Sequence, residues 1–315
     1  VRSRRQRQMC IRDRVQFDGS LQGPLMLTFF ATIGLNANLA SLKAGGRTLA
    51  LFLGVVLGLL VAQNVIGISM AKLMGLDPLI GLLGASISLS GGHGTGAAWG
   101  KVFAERHGLA AATEIAIACA TFGLVLGGLV GGPVAGFLVK RFKLQSSVSE
   151  EDDEDHILQS FERPKAVQLI TPQAFIEALA LIAVSLSVGT MFALQLNGTA
   201  FELPTFVCVL FVGVVLSNSL SALVGYKIFE RAIQLLGNVS LSLFLAMALM
   251  SLRLWDLASL ALPVLLILTV QAVAMAAYAA FVTFRVMGSN YDAAVLAAGH
   301  CGFGLGATPT AIANM

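Results

Sequence analysis

The sequence predicts an all-α, polytopic membrane protein built from two inverted-topology repeats, each with a re-entrant glycine-rich hairpin. Three observations carry this. Charged residues are 12% of the 315-residue chain and the mean hydropathy is +0.83, against roughly 25% charged residues in a typical soluble domain. Several apolar runs exceed the roughly 20 residues that span a bilayer. A glycine-rich stretch occurs twice, as SGGHGTGAA at 90–98 and GHCGFGLGAT at 299–308. Gly92, Gly94 and Gly96 align with Gly302, Gly304 and Gly306, and Ala97 aligns with Ala307. Each glycine costs about 1 kcal/mol against Ala in a helix. Broken backbone at membrane depth is tolerated only where it is buried in protein or lines a cavity. Matching breaks in two halves mark the substrate site of a secondary transporter.

The chain opens with VRSRRQRQMCIRDR, which holds six of the 20 Lys and Arg residues. Without this segment the 20 basic and 17 acidic residues become 14 and 16, so the formal +3 becomes −2. The segment has no apolar centre and is neither a signal peptide nor a span. Residues 1–14 read as non-native and outside the fold; a basic arm on anionic lipid is the alternative. Cys10, Cys119, Cys208 and Cys301 show no zinc spacing or disulfide framework and read as buried apolar thiols.

Apolar runs place spans at 24–42 and 48–71, the first glycine motif within 78–100, and a span at 109–139. A polar stretch, 140–171, carries the acidic run Glu150 to Asp155 and reads as a solvated cytoplasmic linker. Spans resume at 173–196 and 204–222. An amphipathic piece from Tyr226 to Leu236 leads into 237–252, and a long span at 257–284 precedes the second motif. The linker therefore separates a first membrane repeat, 15–139, from a second, 172–315.

The halves align beyond the glycines. Phe29 to Leu35 matches Phe244 to Met250, and Gln63 matches Gln271. Each half runs short helix, long helix, glycine hairpin. The first adds a span after its hairpin, and the second has two spans before its short helix. Complete repeats need both features, so the chain is expected to be a fragment, lacking about two spans before residue 24 and one after residue 315.

If each motif enters and leaves on one side, the two short helices lie five crossings apart and are inverted. One side then receives Lys43, Arg47, Lys140, Arg141, Lys143, Arg163, Lys165, Lys227, Arg231 and Arg285. The other receives Lys72, Lys101, Arg106 and Arg253. Ten against four fits the positive-inside rule with the linker cytoplasmic. The first hairpin then enters from outside and the second from the cytoplasm.

At such tips glycines let backbone approach a ligand. Free N–H groups at helix N-termini attract anions, and free carbonyls hold a hard cation. The substrate-binding candidates are Ser90, Gly91, Gly92, His93, Gly94, Thr95, Gly96, Gly302, Gly304, Gly306 and Thr308. The cation-coupling candidates are Thr32, Asn36, Ser88, Gln63, Gln271 and His300, with Asn38 and Thr310 adding polar groups nearby. This inventory suits a small anionic or zwitterionic solute with a coupling cation.

His93 and His300 titrate near neutral pH when unperturbed and are candidates for proton coupling; the alternative is a neutral ring bonded to hairpin backbone. Glu114 is the acid inside a span, a functional candidate or a hydrated interfacial carboxylate. Asp77 and Asp292 read as helix caps, with substrate-ammonium binding the alternative. Gln63, Gln271 and Asn64 line the pathway or bridge helices. A phosphate loop would need a βαβ unit and a following acidic residue, and a metalloenzyme a richer His set, so no enzyme is expected.

The stretches DPLIGLLGASISLSGGHGTGAAW, ELPTFVCVLFVGVVLSN, GNVSLSLFLAMAL and NYDAAVLAAGHCGFGLGATPTAIANM closely resemble the bacterial glutamate:sodium symporter family. The resemblance covers about residues 15 to 315, and whole segments match rather than one short pattern. It implies an inner-membrane carrier coupling Na⁺ entry to L-glutamate uptake, with inverted repeats, a cytoplasmic central loop and a homodimer. It places the site at Ser90 to Gly96 and Gly302 to Thr308. The expected partners are L-glutamate, Na⁺ as coupling ion, and the lipid bilayer, with no further cofactor and no nucleic acid. Another small carboxylate with H⁺ coupling is the alternative, then a channel.

Overall fold

The computed structural model describes residues 20–144, 170–199, 202–226, 228–250, 260–306 and Asn314. Residues 1–14, most of the linker 140–171, Thr308 and Thr310 lie outside the described residues. Among the described residues the structure is helical, without strands. The helices are α1 (Gln22–Asn36), α2 (Leu39–Ala44), α3 (Gly46–Leu73), α4 (Pro78–Ile87), α5 (Gly92–His107) and α6 (Ala112–Phe142). They continue as α7 (Pro172–Leu196), α8 (Thr205–Val224), α9 (Glu230–Met250), α10 (Ala261–Val286) and α11 (Tyr291–Leu305). Six of these, α3 and α6 to α10, are long and apolar enough to cross a membrane.

Two segments differ from the sequence reading. The expected span 24–42 is two helices, because Ala37 is extended at φ −75° and ψ 109°. The Asn38 side chain then accepts a 2.9 Å hydrogen bond from the Ala40 N–H and starts α2. Short polar side chains offer the backbone such an alternative to continuing a helix. Conversely, from Glu230 the amphipathic piece continues into the span after it as one helix, α9.

The caps also sort themselves. Asp77 accepts from the Leu79 N–H at 2.9 Å and caps α4, as expected. Asp292 does not cap α11. Asn290 does, accepting from the Ala293 N–H at 2.9 Å, while Asp292 sits exposed in the first turn. An acidic side chain there still complements the positive end of the helix.

The chain divides into two compact units, each drawing on both halves of the sequence. One gathers α1, most of α7, α8 and α9; the other gathers α2 to α6, α10 and α11. In the first, α1 packs against α8 and α9. A Cβ at Gly34 would stand 2.2 Å from the Leu210 carbonyl oxygen, and Phe30 lies on Phe206 with ring centroids 4.6 Å apart.

In the second unit, Leu59, Leu83, Ile115, Cys119, Met275 and Leu305 belong to one buried core. Helices approach through glycine, as lipid-embedded helices do when van der Waals packing drives association. Gly67 on α3 and Gly81 on α4 face each other, each lacking room for a Cβ against the other's carbonyl oxygen. On α6, Gly123, Gly127 and Gly131 form a four-residue-spaced stripe against α11 and its C-terminal end. The sequence reading missed this stripe, although its spacing is visible in TFGLVLGGLVGG.

Candidate functional site

The two glycine motifs meet, but their glycines are not where three helix-poor residues were expected to break the chain. In the first motif the chain turns at Ser90 and Gly91, whose N–H groups both donate to the Ser86 carbonyl, at 3.2 and 2.9 Å. Gly92 has φ +69°, a left-handed conformation that glycine adopts without strain. Gly94 and Gly96 are then regular residues of α5. In the second motif, Gly302 and Gly304 lie in the last turn of α11, and the helix stops at Gly306. The aligned triplets therefore sit on opposite sides of their breaks. One opens a helix and the other closes one.

The approach to the first tip is irregular. Residues Leu83–Ile87 form a π-helical turn with Ala85 kinked out of helical geometry at φ −119°, ψ −139°. Such wide turns are frequent at functional sites. A second π-helical turn, Ala279–Thr283, lies within α10.

A polar chain joins the tips at the middle of α3. Gln63 donates from Nε2 to the Gly304 carbonyl oxygen at 2.8 Å. Its Oε1 accepts from the Ser90 hydroxyl at 2.9 Å. The same hydroxyl lies 3.2 Å from the Gly304 carbonyl oxygen. Gln271 donates from Nε2 to the Gln63 backbone carbonyl at 2.7 Å, and its own Oε1 is buried with no partner. One helical turn from the Ser90 tip, Ser86 donates to Asn64 Oδ1 at 2.7 Å. Gly92 itself approaches the second tip; a Cβ there would stand 3.7 Å from the Gly306 carbonyl oxygen.

The charge at this junction is set by helix ends. Ser90 lies just before the N-terminus of α5, where free N–H groups carry a partial positive charge. Gly304 lies at the C-terminus of α11, where the last carbonyls carry a partial negative one. The Gly302 carbonyl accepts from the Gly306 N–H at 2.9 Å, and the Gly304 carbonyl accepts from Gln63 Nε2 with the Ser90 hydroxyl close by.

Among the described residues, neither histidine bonds to hairpin backbone. His93 Nε2 lies 3.0 Å from the Thr121 hydroxyl of α6. That hydroxyl also lies 2.9 Å from the Ile117 carbonyl oxygen, to which it donates; a ring protonated on Nε2 completes the pair by donating to the hydroxyl oxygen. His300 is fully buried, with Nδ1 2.9 Å from the Thr283 hydroxyl at the end of the second π-helical turn. Its Nε2 has no partner, and Phe52 and Tyr278 stand T-shaped to its ring at centroid distances of 5.2 and 6.2 Å. Each ring is thus held by a threonine on a neighbouring helix. No sequence spacing relates Thr121 to His93 or Thr283 to His300.

The remaining candidates are dispersed. Ser88 is fully buried without a partner, and a Cβ at Gly96 would stand 3.0 Å from its hydroxyl oxygen. Thr95 packs its side chain against Gly91. Thr32 and Asn36 belong to the other unit. The Thr32 hydroxyl donates to the Phe29 carbonyl at 2.7 Å, and the side chain packs against Gly237. Glu114 sits in the first turn of α6 with one carboxylate oxygen buried and unpartnered. Cys119, Cys208 and Cys301 are buried free thiols.

The chain resembles known proteins over nearly its whole length. The model of the family described as sodium/glutamate symporter matches residues 7–315, beginning inside the basic segment. The chain is 67% identical over 301 residues to the sodium/glutamate symporter of Escherichia coli (strain K12) and equally to that of Shigella flexneri. Those alignments cover 96% of this chain and 74% of each relative. It is 54% identical over 299 residues to the sodium/glutamate symporter of Haemophilus influenzae, covering 95% and 74%. No solved structure matches the chain. By the extent of the family match and these identities, the chain belongs to the sodium/glutamate symporter family.

Proposed function

We propose that this protein is a multi-pass carrier of the bacterial inner membrane that couples Na⁺ entry to L-glutamate uptake, with the solute held where the two glycine motifs meet. It is a transporter and not an enzyme. The observation that carries the site is the polar chain Ser90–Gln63–Gly304, which links both motifs inside one compact unit. The first turn of α5 offers N–H donors to carboxylates, and the end of α11 offers carbonyl oxygens to an ammonium group or to Na⁺.

In this reading the motifs are tips of re-entrant hairpins in two inverted repeats, and access alternates as the motif-bearing unit moves. The protein works as a homodimer, with α1 and α7 to α9 supplying the scaffold. The matched pairs Gln63 with Gln271 and the glycine triplets support the repeat, and the contiguity of the motifs supports a shared site.

Purified protein in liposomes should accumulate labelled L-glutamate only under an inward Na⁺ gradient. Uptake that ignores the gradient would sink the reading. Exchange of internal for external glutamate that saturates would separate a carrier from a pore.

A further inference from the structure

The Gln63 carboxamide has an unusual position. It sits between a donor at one tip and an acceptor at the other, and it satisfies both. Its N–H meets the Gly304 carbonyl at the negative end of α11, and its oxygen meets the Ser90 hydroxyl at the positive end of α5. It is 1% exposed, so this is a closed contact.

A zwitterionic amino-acid head presents the same pattern on a similar scale. Its ammonium is a donor with positive charge, and its α-carboxylate is an acceptor with negative charge. Each matches the helix end that the carboxamide now touches with a neutral group. Charge-assisted hydrogen bonds are roughly twice as strong as neutral ones, so the zwitterion is the better occupant of both positions. A further observation points to a ligand at this place. The Gln271 carboxamide fixes the Gln63 backbone, and its Oε1 is buried with no hydrogen-bond partner.

We infer that Gln63 is an internal occupant of the head-group subsite. Its side chain holds the two tips together in the substrate-free state and is displaced when the amino acid binds. The Ser90 hydroxyl then turns to the α-carboxylate, and the Gly304 carbonyl receives the ammonium. This rests on the proposed glutamate site and adds to it which end of the head group meets which tip, and that the protein competes with its own substrate. Apparent affinity is then reduced by the fraction of protein in the self-occupied form.

The test is equilibrium binding of labelled L-glutamate to the detergent-solubilised protein at saturating Na⁺. Gln63→Met fills similar volume without either polar group, and the Ser90 hydroxyl still has the Gly304 carbonyl within 3.2 Å. Its Kd should fall by at least about threefold, the scale of one or two neutral hydrogen bonds. Gln63→Asn keeps an amide but is one methylene too short to reach both tips, and should also tighten binding, which covers the case of a poorly folding Met variant. Ser90→Ala should weaken binding in either background. If both Gln63 variants weaken binding as Ser90→Ala does, Gln63 is a strut or a direct ligand and the inference is overturned. If the unaltered protein binds no glutamate, the site reading itself fails with it. Glutarate, which lacks the ammonium, should compete far less well than L-glutamate; equal competition removes the Gly304 assignment.

Discussion

Gly123 on α6 lies so close to Leu305 on α11 that a Cβ on the glycine would stand 2.1 Å from the Leu305 carbonyl oxygen. Backbone against backbone leaves nothing flexible to yield. The contact fixes the end of α11, and with it the Gly304 carbonyl one residue earlier. The next glycine along the stripe, Gly127, approaches Gly302 and Gly306 in the same way, its Cβ position 3.2 Å from both the Gly302 oxygen and the Gly306 nitrogen.

Gly123→Ala should therefore destabilise the protein by about 1–3 kcal/mol, the usual cost of overpacking. Gly128→Ala, whose Cβ meets nothing within 4 Å, is the control. It should be neutral or stabilising by up to about 1 kcal/mol, the helix-propensity gain of Ala over Gly. Thermal unfolding in detergent measures both. Equal midpoints would refute the packing argument.

The Gly67–Gly81 contact predicts a matching effect at the other motif. A Cβ at either position would stand 2.2 or 2.3 Å from the other's carbonyl oxygen. Gly81→Ala should lower the unfolding midpoint and the Na⁺-driven uptake rate together, since α4 leads directly to the Ser90 tip. An uptake rate and midpoint equal to the parent's would show that α3 and α4 part readily.

At His300 the expected effect is non-additive. Thr283→Val removes the hydrogen-bond partner of the buried ring, leaving both nitrogens unsatisfied at a cost of about 1–3 kcal/mol. His300→Phe in the Thr283→Val background removes the need for the bond and keeps an aromatic ring against Phe52 and Tyr278. The double variant should unfold at a higher temperature than Thr283→Val alone. A simple sum of two losses would show that the imidazole has another role, such as holding a proton.

His93 is expected to be replaceable. A Gln at this position has both an N–H donor and a carbonyl acceptor with which to meet the Thr121 hydroxyl, the partner of His93 Nε2. His93→Gln should keep Na⁺-driven uptake with an unchanged pH profile. A displaced profile would put the imidazole in the coupling mechanism.

Just beyond the end of α8, the Tyr226 hydroxyl donates to Glu177 Oε2 near the start of α7, and this bond, with burial and the Glu177 charge, raises the phenol above its ordinary value of about 10. A raised folded-state value means the contribution to stability is present below about pH 10. It is lost as pH climbs through the folded-state value. Ultraviolet titration of the protein, minus its Tyr226→Phe variant, should give a midpoint that Glu177→Gln lowers. An unmoved midpoint would remove Glu177 as the cause.

Much of the architecture is legible in the chain because lipid simplifies the code. The long apolar runs give α3, α6, α7, α8 and α10 to within a few residues, since each must satisfy its own backbone in hydrocarbon. The errors lie where polar side chains compete with the helix. Asn38 restarts the chain where one span was expected, and Asn290 rather than Asp292 caps α11. The glycine motifs were visible as the special places, but not their local form. A glycine's meaning depends on what approaches it, and that neighbour is often far away in sequence.

The sequence by itself determined the class of protein, the approximate extent of its spans, the two motifs and the family. Composition and hydrophobic length suffice for these, because the bilayer fixes both. Only the tertiary structure decided that the motifs meet through Gln63. It also decided that Gln271 braces that residue from a helix 208 positions away in sequence, and that Thr121 and Thr283 orient the histidines. Hydrogen bonds between distant helices leave no periodic trace in a sequence. They arise where close glycine packing brings backbone carbonyls within reach of a side chain.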